Sequence, residues 1–423
     1  MGETLNNKKI ISWALYDWAN SAYATVVMAG FFPIYFKQYW ASYLSSQEST
    51  YQIGLANSIA SLVIVLIAPI VGSIADQAGN RKRFLLFFTY IGLVTCASLF
   101  FVGENDWKLA ILFYVIATIG FSGGVCFSDS LLLSVAAKNK LDVVSALGYA
   151  MGYIGGGLLF AFCVWFVRSP DVIGLNTPLE AMKVSFLLVA IWWAVFSLPI
   201  FLFVREPVRT NNDAQGISMI FSGFATLFET FKSIRRYKIV FTFLLAYWFY
   251  IDGVDTIVRM AVDYGLSLNI DSSDLILALL ITQFIGFPSA IAFGYLGNRL
   301  GAKLGIQIAI VMYIIVVIWA YQLNAVWEFY MLAVMIGLVQ GGIQSLSRSL
   351  YASIIPTSRS AEFFGFYNML GKFSAVIGPI MMGWVVVMTG SHRVAMLSIV
   401  LLFVAGWVLL RYVDVDKARK LVN

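Results

Sequence analysis

Long apolar runs recur along the whole chain, and this pattern constrains the fold more than any other feature. Several of these runs exceed about 18 residues, the length at which a helix can cross the hydrocarbon core of a bilayer. Hydrophobic residues make up 60% of the chain and charged residues only 12%, about half the charged fraction of a soluble domain. Because this composition cannot cover a soluble fold with polar side chains, the sequence predicts an all-α integral membrane protein.

Twelve transmembrane helices are predicted from these runs. They lie near residues 10–36, 51–73, 84–102, 108–135, 143–167, 184–204, 238–264, 274–296, 304–322, 326–350, 361–388 and 392–411. The longest connection divides the spans six and six. We therefore expect an N-terminal six-helix bundle over residues 1–204, a cytoplasmic central loop over residues 205–237 and a C-terminal six-helix bundle over residues 238–423.

The central loop carries its own periodic pattern. Apolar residues recur there at helical spacing, namely at Ile217, Ile220, Phe221, Phe224, Leu227, Phe228 and Phe231. This spacing predicts an amphipathic helix. The helix either lies on the cytoplasmic face of the membrane or packs under the two bundles.

Basic residues are distributed unequally between the two sides of the predicted membrane. If both termini and every second loop lie on one side, that side receives 21 of the 28 lysines and arginines, Arg348 among them, and the other side receives five. Cytoplasmic loops carry this excess, so we expect both termini in the cytoplasm. The short termini favour a bacterial protein, which we then expect in the inner (plasma) membrane. The net charge of +6 therefore indicates topology, and we expect no nucleic-acid partner.

Cysteine and histidine usage favours neither metal nor disulfide chemistry. Cys96, Cys126 and Cys163 all lie inside apolar runs, and the one histidine, His392, lies at the edge of a short loop. Their spacing fits no disulfide or metal-ligand pattern. We expect no metal site and no cofactor.

Two loops of the chain resemble each other, which indicates an internal repeat. GSIADQAGNRKR begins at Gly72 after the second span, and GYLGNRLGAKLG begins at Gly294 after the eighth span. The alignment pairs Gly72 with Gly294, Asp76 with Asn298, Gly79 with Gly301, and Arg81 with Lys303. Two six-helix halves in parallel repeat suggest pseudo-two-fold symmetry about the membrane normal.

The first of these loops resembles the signature between the second and third helices of the major facilitator superfamily. The resemblance covers the whole chain and implies the major facilitator fold. It also implies that the loop is a conformational latch rather than a solute contact, formed by Gly72, Asp76, Gly79, Arg81, Lys82 and Arg83, with a second copy at Gly294, Asn298, Gly301 and Lys303. The usual arginine of the fourth span is absent here.

Two further motifs narrow the resemblance. YDWANSAY at residues 16–23 and QGGIQSLSRSLY at residues 340–351 resemble a branch once called unidentified major facilitators. That branch is related to fungal vacuolar effluxers that release amino acids after autophagy. The resemblance therefore implies transport of an amino acid or a similar metabolite.

Ionisable residues inside the spans form the candidate site. Each costs about 2.5–3.5 kcal/mol at the centre of a span on insertion scales, so such residues normally face protein or water. They are Asp17, Asp129, Asp252, Asp255, Arg259 and Lys372, on spans one, four, seven and eleven. The superfamily resemblance implies that spans one, four, seven and ten line a central cavity. We expect these side chains, with Asn20, Gln283, Gln340 and Gln344, to face that cavity.

The roles within this set stay partly open at the sequence level. Asp17, one helical turn from Asn20, either binds a solute or proton or holds a neighbouring helix. Asp129 acts either in binding or as a gate near the cytoplasmic end. Asp252 is our first choice for binding a proton or a solute ammonium group.

The remaining charged residues have simpler expected roles. Asp255 and Arg259 are four residues apart and can form an ion pair that is structural or gating. Lys372 either attracts a solute carboxylate or pairs with an aspartate.

These observations predict a secondary active transporter that moves a small polar solute by alternating access with proton coupling, as a monomer in contact with membrane lipid. A transporter-like receptor or a lipid scramblase is the alternative. Intramembrane enzymes fit poorly, because Tyr16-Asp17 lacks the Gly-x-Gly-Asp partner motif of aspartyl proteases and the chain has a single histidine.

Overall fold

The computed structural model describes residues 2–206, 237–267 and 270–422. The described chain is almost entirely helical. Its long helices are α1 (Gly2–Ala22), α2 (Ser46–Ala78), α3 (Arg81–Ser98), α4 (Trp107–Val135), α5 (Leu141–Arg168), α6 (Pro178–Phe203), α7 (Lys238–Ser267), α8 (Ser272–Leu300), α9 (Ala302–Tyr321), α10 (Val326–Ile354), α11 (Ser360–Thr389) and α12 (Val400–Arg411). The amphipathic helix predicted over residues 217–231 lies outside the described residues.

Ten of the described helices are long and apolar enough to cross a membrane by length and composition, and they correspond to α2 through α10 and to α12 with the short helix before it. The two other predicted spans are α1 and α11. The first span continues beyond α1 as π-helix over Tyr23–Phe31, a short α-helix over Phe32–Tyr35 and a second π-helix over Phe36–Trp40. The twelve-helix prediction is thus confirmed. A short helix, α13 (Val415–Val422), follows α12.

Local sequence signals set where the helices begin and end. Ser45 and Glu48 form a capping box at the start of α2, and Thr177 accepts a hydrogen bond from the Glu180 N–H at the start of α6. Gly79 ends α2 with a φ of 63°, a left-handed conformation that costs glycine little. The chain therefore reverses after α2 where the motif has its second glycine.

In each half of the chain a lysine binds the C-terminal end of the last long helix. Lys82 Nζ donates to the Phe201 and Val204 carbonyls at the end of α6, at 2.8 and 2.6 Å. Lys303 Nζ donates to the Arg411 and Val413 carbonyls at the end of α12, at 2.9 and 2.8 Å. A lysine at these positions satisfies carbonyls that have no partner within the helix. We call this end of the molecule, where the α2–α3 and α8–α9 loops lie, the basic end.

Helices from the two halves of the chain meet along two seams that depend on small residues. In the first seam α2 contacts α11, where a Cβ added to Gly365 would lie 2.8 Å from the Pro69 Cα. In the second seam α5 contacts α8, where a Cβ added to Gly286 would lie 2.9 Å from the Tyr153 ring. Glycine therefore permits a close approach of the helices that any larger residue would prevent.

Candidate functional site

Arg348 of α10 lies at the centre of a charged cluster between the two halves. Its side chain is 2% exposed, and its Nη1 donates to Asp17 of α1 at 3.1 Å and to Asp129 of α4 at 2.9 Å. Ser145 of α5 accepts two more bonds, at its Oγ from Nε (2.9 Å) and at its carbonyl from Nη2 (2.7 Å). One guanidinium group from the C-terminal half thus binds three helices of the N-terminal half.

Two aromatic rings pack against the same guanidinium group. Its carbon lies 4.8 Å from the ring centroid of Trp13 and 4.3 Å from that of Tyr149. The Trp13 ring is itself held in place, because its Nε1 donates to the Ser128 carbonyl at 2.8 Å. These distances suit cation–π attraction, which strengthens where water is excluded. We refer to Arg348, Asp17, Asp129, Ser145, Trp13 and Tyr149 as the Arg348 cluster.

The role of Arg348 was missed from the sequence. The charge count assigned it to the loop residues that set orientation, and that assignment was wrong, because Arg348 is a buried residue of α10. A signal was available. Arg348 shares a helical face with Gln340 and Gln344, and two buried aspartates in the N-terminal half required a counter-charge.

A row of glycines on α5 lets α1 approach the cluster closely. A Cβ added to Gly148 would collide with the Asp17 carboxylate and would lie 2.7 Å from Arg348 Nη2. Three more glycines of α5 face the first span in the same way: Gly152 faces Ser21, Gly155 faces Trp18, and Gly156 faces both Ser21 and Thr25, the latter in the π-helix that continues α1. Gly148 therefore makes room for the Asp17 carboxylate, and the first three glycines of the GYIGGG segment at residues 152–157 hold α1 close to α5.

The two aspartates of the cluster differ in their surroundings. The second oxygen of Asp129 accepts a bond from Asn368 Nδ2 of α11 at 3.3 Å, and its side chain is 4% exposed. The Asp17 side chain is 13% exposed. Asn20 lies one turn from Asp17, is buried, and has no hydrogen-bond partner for its Nδ2 among the described residues. Asp17 is thus the acid of the pair that is more open to its surroundings.

The structure places Asp252 away from this cluster, beside α11. Its carboxylate accepts the backbone N–H of Gly378, with Oδ1 at 3.0 Å and Oδ2 at 3.2 Å, and Thr256 Oγ1 donates to it at 3.3 Å. Asp255 is half-buried on the same helix. The side chains of Arg259 and Lys372 lie outside the described set, so the predicted Asp255–Arg259 pair stays a prediction.

The predicted glutamines lie on helices of the C-terminal half, and two of them reach α5. Gln344 Oε1 accepts a bond from the Tyr153 hydroxyl at 3.3 Å, and a Cβ added to Gly157 would lie 3.3 Å from the Gln283 Cβ. Gln340 is half-buried on α10. Gln344 and Gln283 therefore belong to the boundary between the halves.

The first copy of the latch motif joins the halves at the basic end. Asp76 Oδ1 binds Arg81 Nε at 2.6 Å, and its Oδ2 accepts the Glu362 N–H in the first turn of α11 at 2.8 Å. Arg81 Nη2 also donates to the Thr357 carbonyl at 3.2 Å. A carboxylate at a helix N-terminus is favourable because free N–H groups and the helix dipole both attract it.

The two copies of the motif differ in what they contact. A Cβ on Gly72 would lie 2.8 Å from the Ala361 carbonyl carbon of α11, whereas one on Gly294 would collide with Ala146 of α5. Arg83 and Asn298 are exposed. The contact between an acidic side chain and a helix start is thus a feature of the first copy.

In the described part of the chain, no cluster of three acidic, histidine or cysteine residues could hold a metal ion.

Solved structures identify the class of this fold. The proton:xylose symporter XylE, bound to 6-bromo-6-deoxy-D-glucose, superposes with a TM-score of 0.76 at 11% identity and full coverage of both chains. The human organic anion transporter MFSD10 superposes with a TM-score of 0.73 at 15% identity, covering 96% of this chain and 99% of its own. The fold is that of a major facilitator superfamily transporter.

Sequence comparison identifies the family within that class. Residues 49–423 match the family described as "Vacuole effluxer Atg22 like", and the chain belongs to this family. An uncharacterized MFS-type transporter of Bacillus subtilis, YxiO, is 38% identical over 405 residues, covering 95% of this chain and 94% of its own. Autophagy-related protein 22 of Yarrowia lipolytica is 22% identical over 449 residues, covering 86% and 75%. The predicted resemblance is confirmed, and the protein is a transporter rather than an enzyme.

Proposed function

We propose that this protein is a monomeric secondary transporter that moves a small polar solute, an amino acid or a similar metabolite, by alternating access with proton coupling. In this proposal it lies in a bacterial inner membrane with both termini in the cytoplasm, and the bundles over residues 1–204 and 238–423 rock against each other. The observation that carries the proposal is the Arg348 cluster, which joins α10 to α1, α4 and α5 at their boundary.

Closure of the basic end supports alternating access. The Arg348 cluster and the Asp76–Glu362 contact both hold N-terminal helices against C-terminal helices in the half of the molecule nearest the basic end. For a solute to pass that end, both sets of bonds must separate. Alternating access is the mechanism by which two related bundles open one side while the other side stays closed.

The charge balance of the cluster supports coupling to protons. Two carboxylates share a single guanidinium nitrogen, so one negative charge in the membrane interior exceeds the positive charge of the cluster. Burying an uncompensated charge is costly, and binding a proton or a cationic solute group removes that cost. We assign this binding to Asp17, because it is the more exposed acid.

The chemistry around Asp17 favours a solute with an amino group. An ammonium group would pair with the Asp17 carboxylate, and the Gln283 and Gln344 amides on the opposite half would offer hydrogen bonds to the remainder of the solute. Asn20, whose Nδ2 is buried without a partner among the described residues, adds a donor for a solute carboxylate. An amino acid carries both groups.

Uptake into vesicles tests the proposal. The purified protein is reconstituted, a pH gradient is imposed, and radiolabelled amino acids are supplied one at a time. We expect saturable, gradient-dependent uptake of at least one of them. Asp17→Asn should abolish the gradient dependence, and Asp106→Asn, at an exposed position, should leave it unchanged.

Other outcomes decide against the proposal. If no amino acid or related metabolite enters the vesicles, solute transport of this class is refuted. Movement of a fluorescent lipid between leaflets in the same vesicles would instead support the scramblase alternative. High-affinity solute binding without any uptake would support the receptor alternative.

A further inference from the structure

Asp252 contacts the backbone of a neighbouring helix deep in the C-terminal half. It is 1% exposed, and both of its carboxylate oxygens lie within 3.2 Å of the Gly378 nitrogen. The next residue is Pro379, which has no N–H to donate along α11. The carboxylate therefore binds α11 next to a position where its own hydrogen-bond ladder is interrupted.

The contact requires glycine at position 378. A Cβ added there would lie 2.9 Å from Asp252 Oδ1 and would collide with the Thr256 hydroxyl. Thr256 is one turn further along α7 and donates to the same carboxylate. Asp252 and Thr256 of α7 thus pack directly against the α11 backbone at Gly378.

The earlier part of α11 is bound to the other half of the protein. The Glu362 N–H bonds to Asp76 of α2 at 2.8 Å, and Asn368 Nδ2 bonds to Asp129 of α4 at 3.3 Å. Gly378 lies ten residues after Asn368, or about three helical turns. The helix therefore has one end bound to the N-terminal half and a middle section bound to α7.

We propose that Asp252 is a positioning residue of transport, which anchors α11 at Gly378 while the part of the helix before Gly378 separates from the N-terminal half. This rests on the proposed alternating-access function. The carboxylate acts through the α11 backbone and does not carry the coupled proton. To accept the Gly378 N–H, the side chain at position 252 needs an oxygen atom but does not need to ionise.

Conservative and non-conservative variants separate the two roles of Asp252. Asp252→Asn keeps an oxygen that accepts the Gly378 N–H but cannot exchange a proton, so we expect it to retain gradient-driven uptake. Asp252→Ala removes the acceptor and should lower uptake about tenfold or more, the ratio expected for loss of a charge-assisted bond. Thr256→Val removes one bond to the carboxylate and should give a smaller loss.

Hydrogen–deuterium exchange tests the anchor without any need for transport. The α11 peptide that contains Gly378 is followed in the purified full-length protein. We expect slow exchange in the wild type and in Asp252→Asn, and exchange about tenfold or more faster in Asp252→Ala. This readout distinguishes failure of the anchor from failure of the proposed function, because it is independent of any solute.

Any one of the following results would overturn the proposal. The first is loss of gradient-driven uptake in Asp252→Asn while solute exchange persists, which would make Asp252 the proton carrier. The second is unchanged amide exchange in Asp252→Ala. The third is failure of Asp252→Asn to fold, which would mean that the charge itself holds the helix. If only Asp252→Ala fails to fold, faster exchange in Thr256→Val still supports the anchor, and unchanged exchange there refutes it.

Discussion

Arg348 owes its position to the planar, many-donor form of its side chain. The guanidinium group donates four hydrogen bonds to acceptors on three helices, and two aromatic rings pack against it. Lysine offers a point charge on a flexible stem and cannot reproduce a planar fork. Arginine and lysine carry the same charge, but only arginine can make all the contacts of the Arg348 cluster.

We predict that Arg348→Lys greatly impairs transport and lowers thermal stability. Breaking a buried ion pair costs about 3–5 kcal/mol when a partner is lost, and lysine keeps only part of the contacts. The unfolding midpoint and vesicle uptake measure the effect. Arg411→Lys, at an exposed position of α12, is the control and should change neither; equal behaviour of the two variants would contradict a special role for Arg348.

The sequence predicted the acids of the site better than their partners. Asp17 and Asp129 stood out because an aspartate inside an apolar run is costly unless it faces protein or water. Arg348 lies six residues from the end of α10, and hydropathy alone cannot tell whether a long basic side chain near a helix end reaches water or turns inward. Asp252 accepts a bond from Thr256 on its own helix, which the i, i+4 spacing allows, but it also accepts the Gly378 backbone N–H, and no pattern of side chains can indicate that contact.

At the scale of helices, the contact between α2 and α11 depends on the absence of a side chain at position 72. The backbone of Ala361 and Glu362 lies directly above Gly72, and backbone atoms cannot move aside as a flexible side chain can. The motif glycine therefore serves helix packing. Its role in the close approach was predictable from the sequence, whereas the identity of the helix it meets required the fold.

We predict that Gly72→Ala destabilises the protein, since overpacking of a tight interface costs about 1–3 kcal/mol. Gly54 offers a matched control on the same helix, because a Cβ added there would meet no atom within 4 Å. Gly54→Ala should be neutral or stabilising, given the better helix propensity of alanine. Thermal unfolding of both variants measures the difference, and a Gly72→Ala protein as stable as the control would contradict the packing argument.

A pH effect is expected where α6 ends beside the start of α3. Glu206 Oε1 accepts the Lys82 N–H at 2.7 Å, and burial raises the pKa of Glu206 above its ordinary value. The Glu206 carboxyl therefore binds a proton more tightly in the folded state than in the unfolded state. The free energy of unfolding that Glu206 contributes therefore falls as the pH rises from the ordinary glutamate pKa towards the raised pKa of Glu206.

We predict that Glu206→Gln removes this decline, because glutamine keeps the acceptor oxygen and does not ionise. The unfolding midpoint is recorded between pH ~4 and ~8, the range in which such linkage acts. Glu104→Gln, at an exposed position near the start of α4, serves as the control and should keep the wild-type pH profile. A Glu206→Gln profile that matches the wild type would show that burial of this carboxyl has no effect on stability.

At the scale of the whole molecule, separation of the basic end is the motion that the proposed transport cycle requires. Ser134 of α4 and Ser358, between α10 and α11, line one cavity of about 340 Å³ at that end. A covalent bridge across the cavity would join the two halves where they must separate. The native cysteines are all buried, so introduced thiols can be addressed separately.

We predict that cross-linking Ser134→Cys to Ser358→Cys with a bifunctional methanethiosulfonate reagent stops uptake reversibly, with recovery after reduction. The control pair joins two residues within the N-terminal half, Ser42→Cys and Asn105→Cys, whose parent side chains are 2.8 Å apart. Uptake should survive that link. Continued transport with the first pair fully cross-linked would exclude opening of the basic end.

The glycine row of α5 has a consequence for how the Arg348 cluster comes apart. Because Gly148, Gly152, Gly155 and Gly156 bring α5 into direct contact with α1, we expect the partners that Arg348 has on these two helices to shift together. The guanidinium group then loses or regains Asp17, Ser145, Trp13 and Tyr149 together. Partial release would strand a charge in a medium of low polarity. In the proposed transport cycle we therefore expect this separation to be cooperative, with two well-separated populations and few molecules between them.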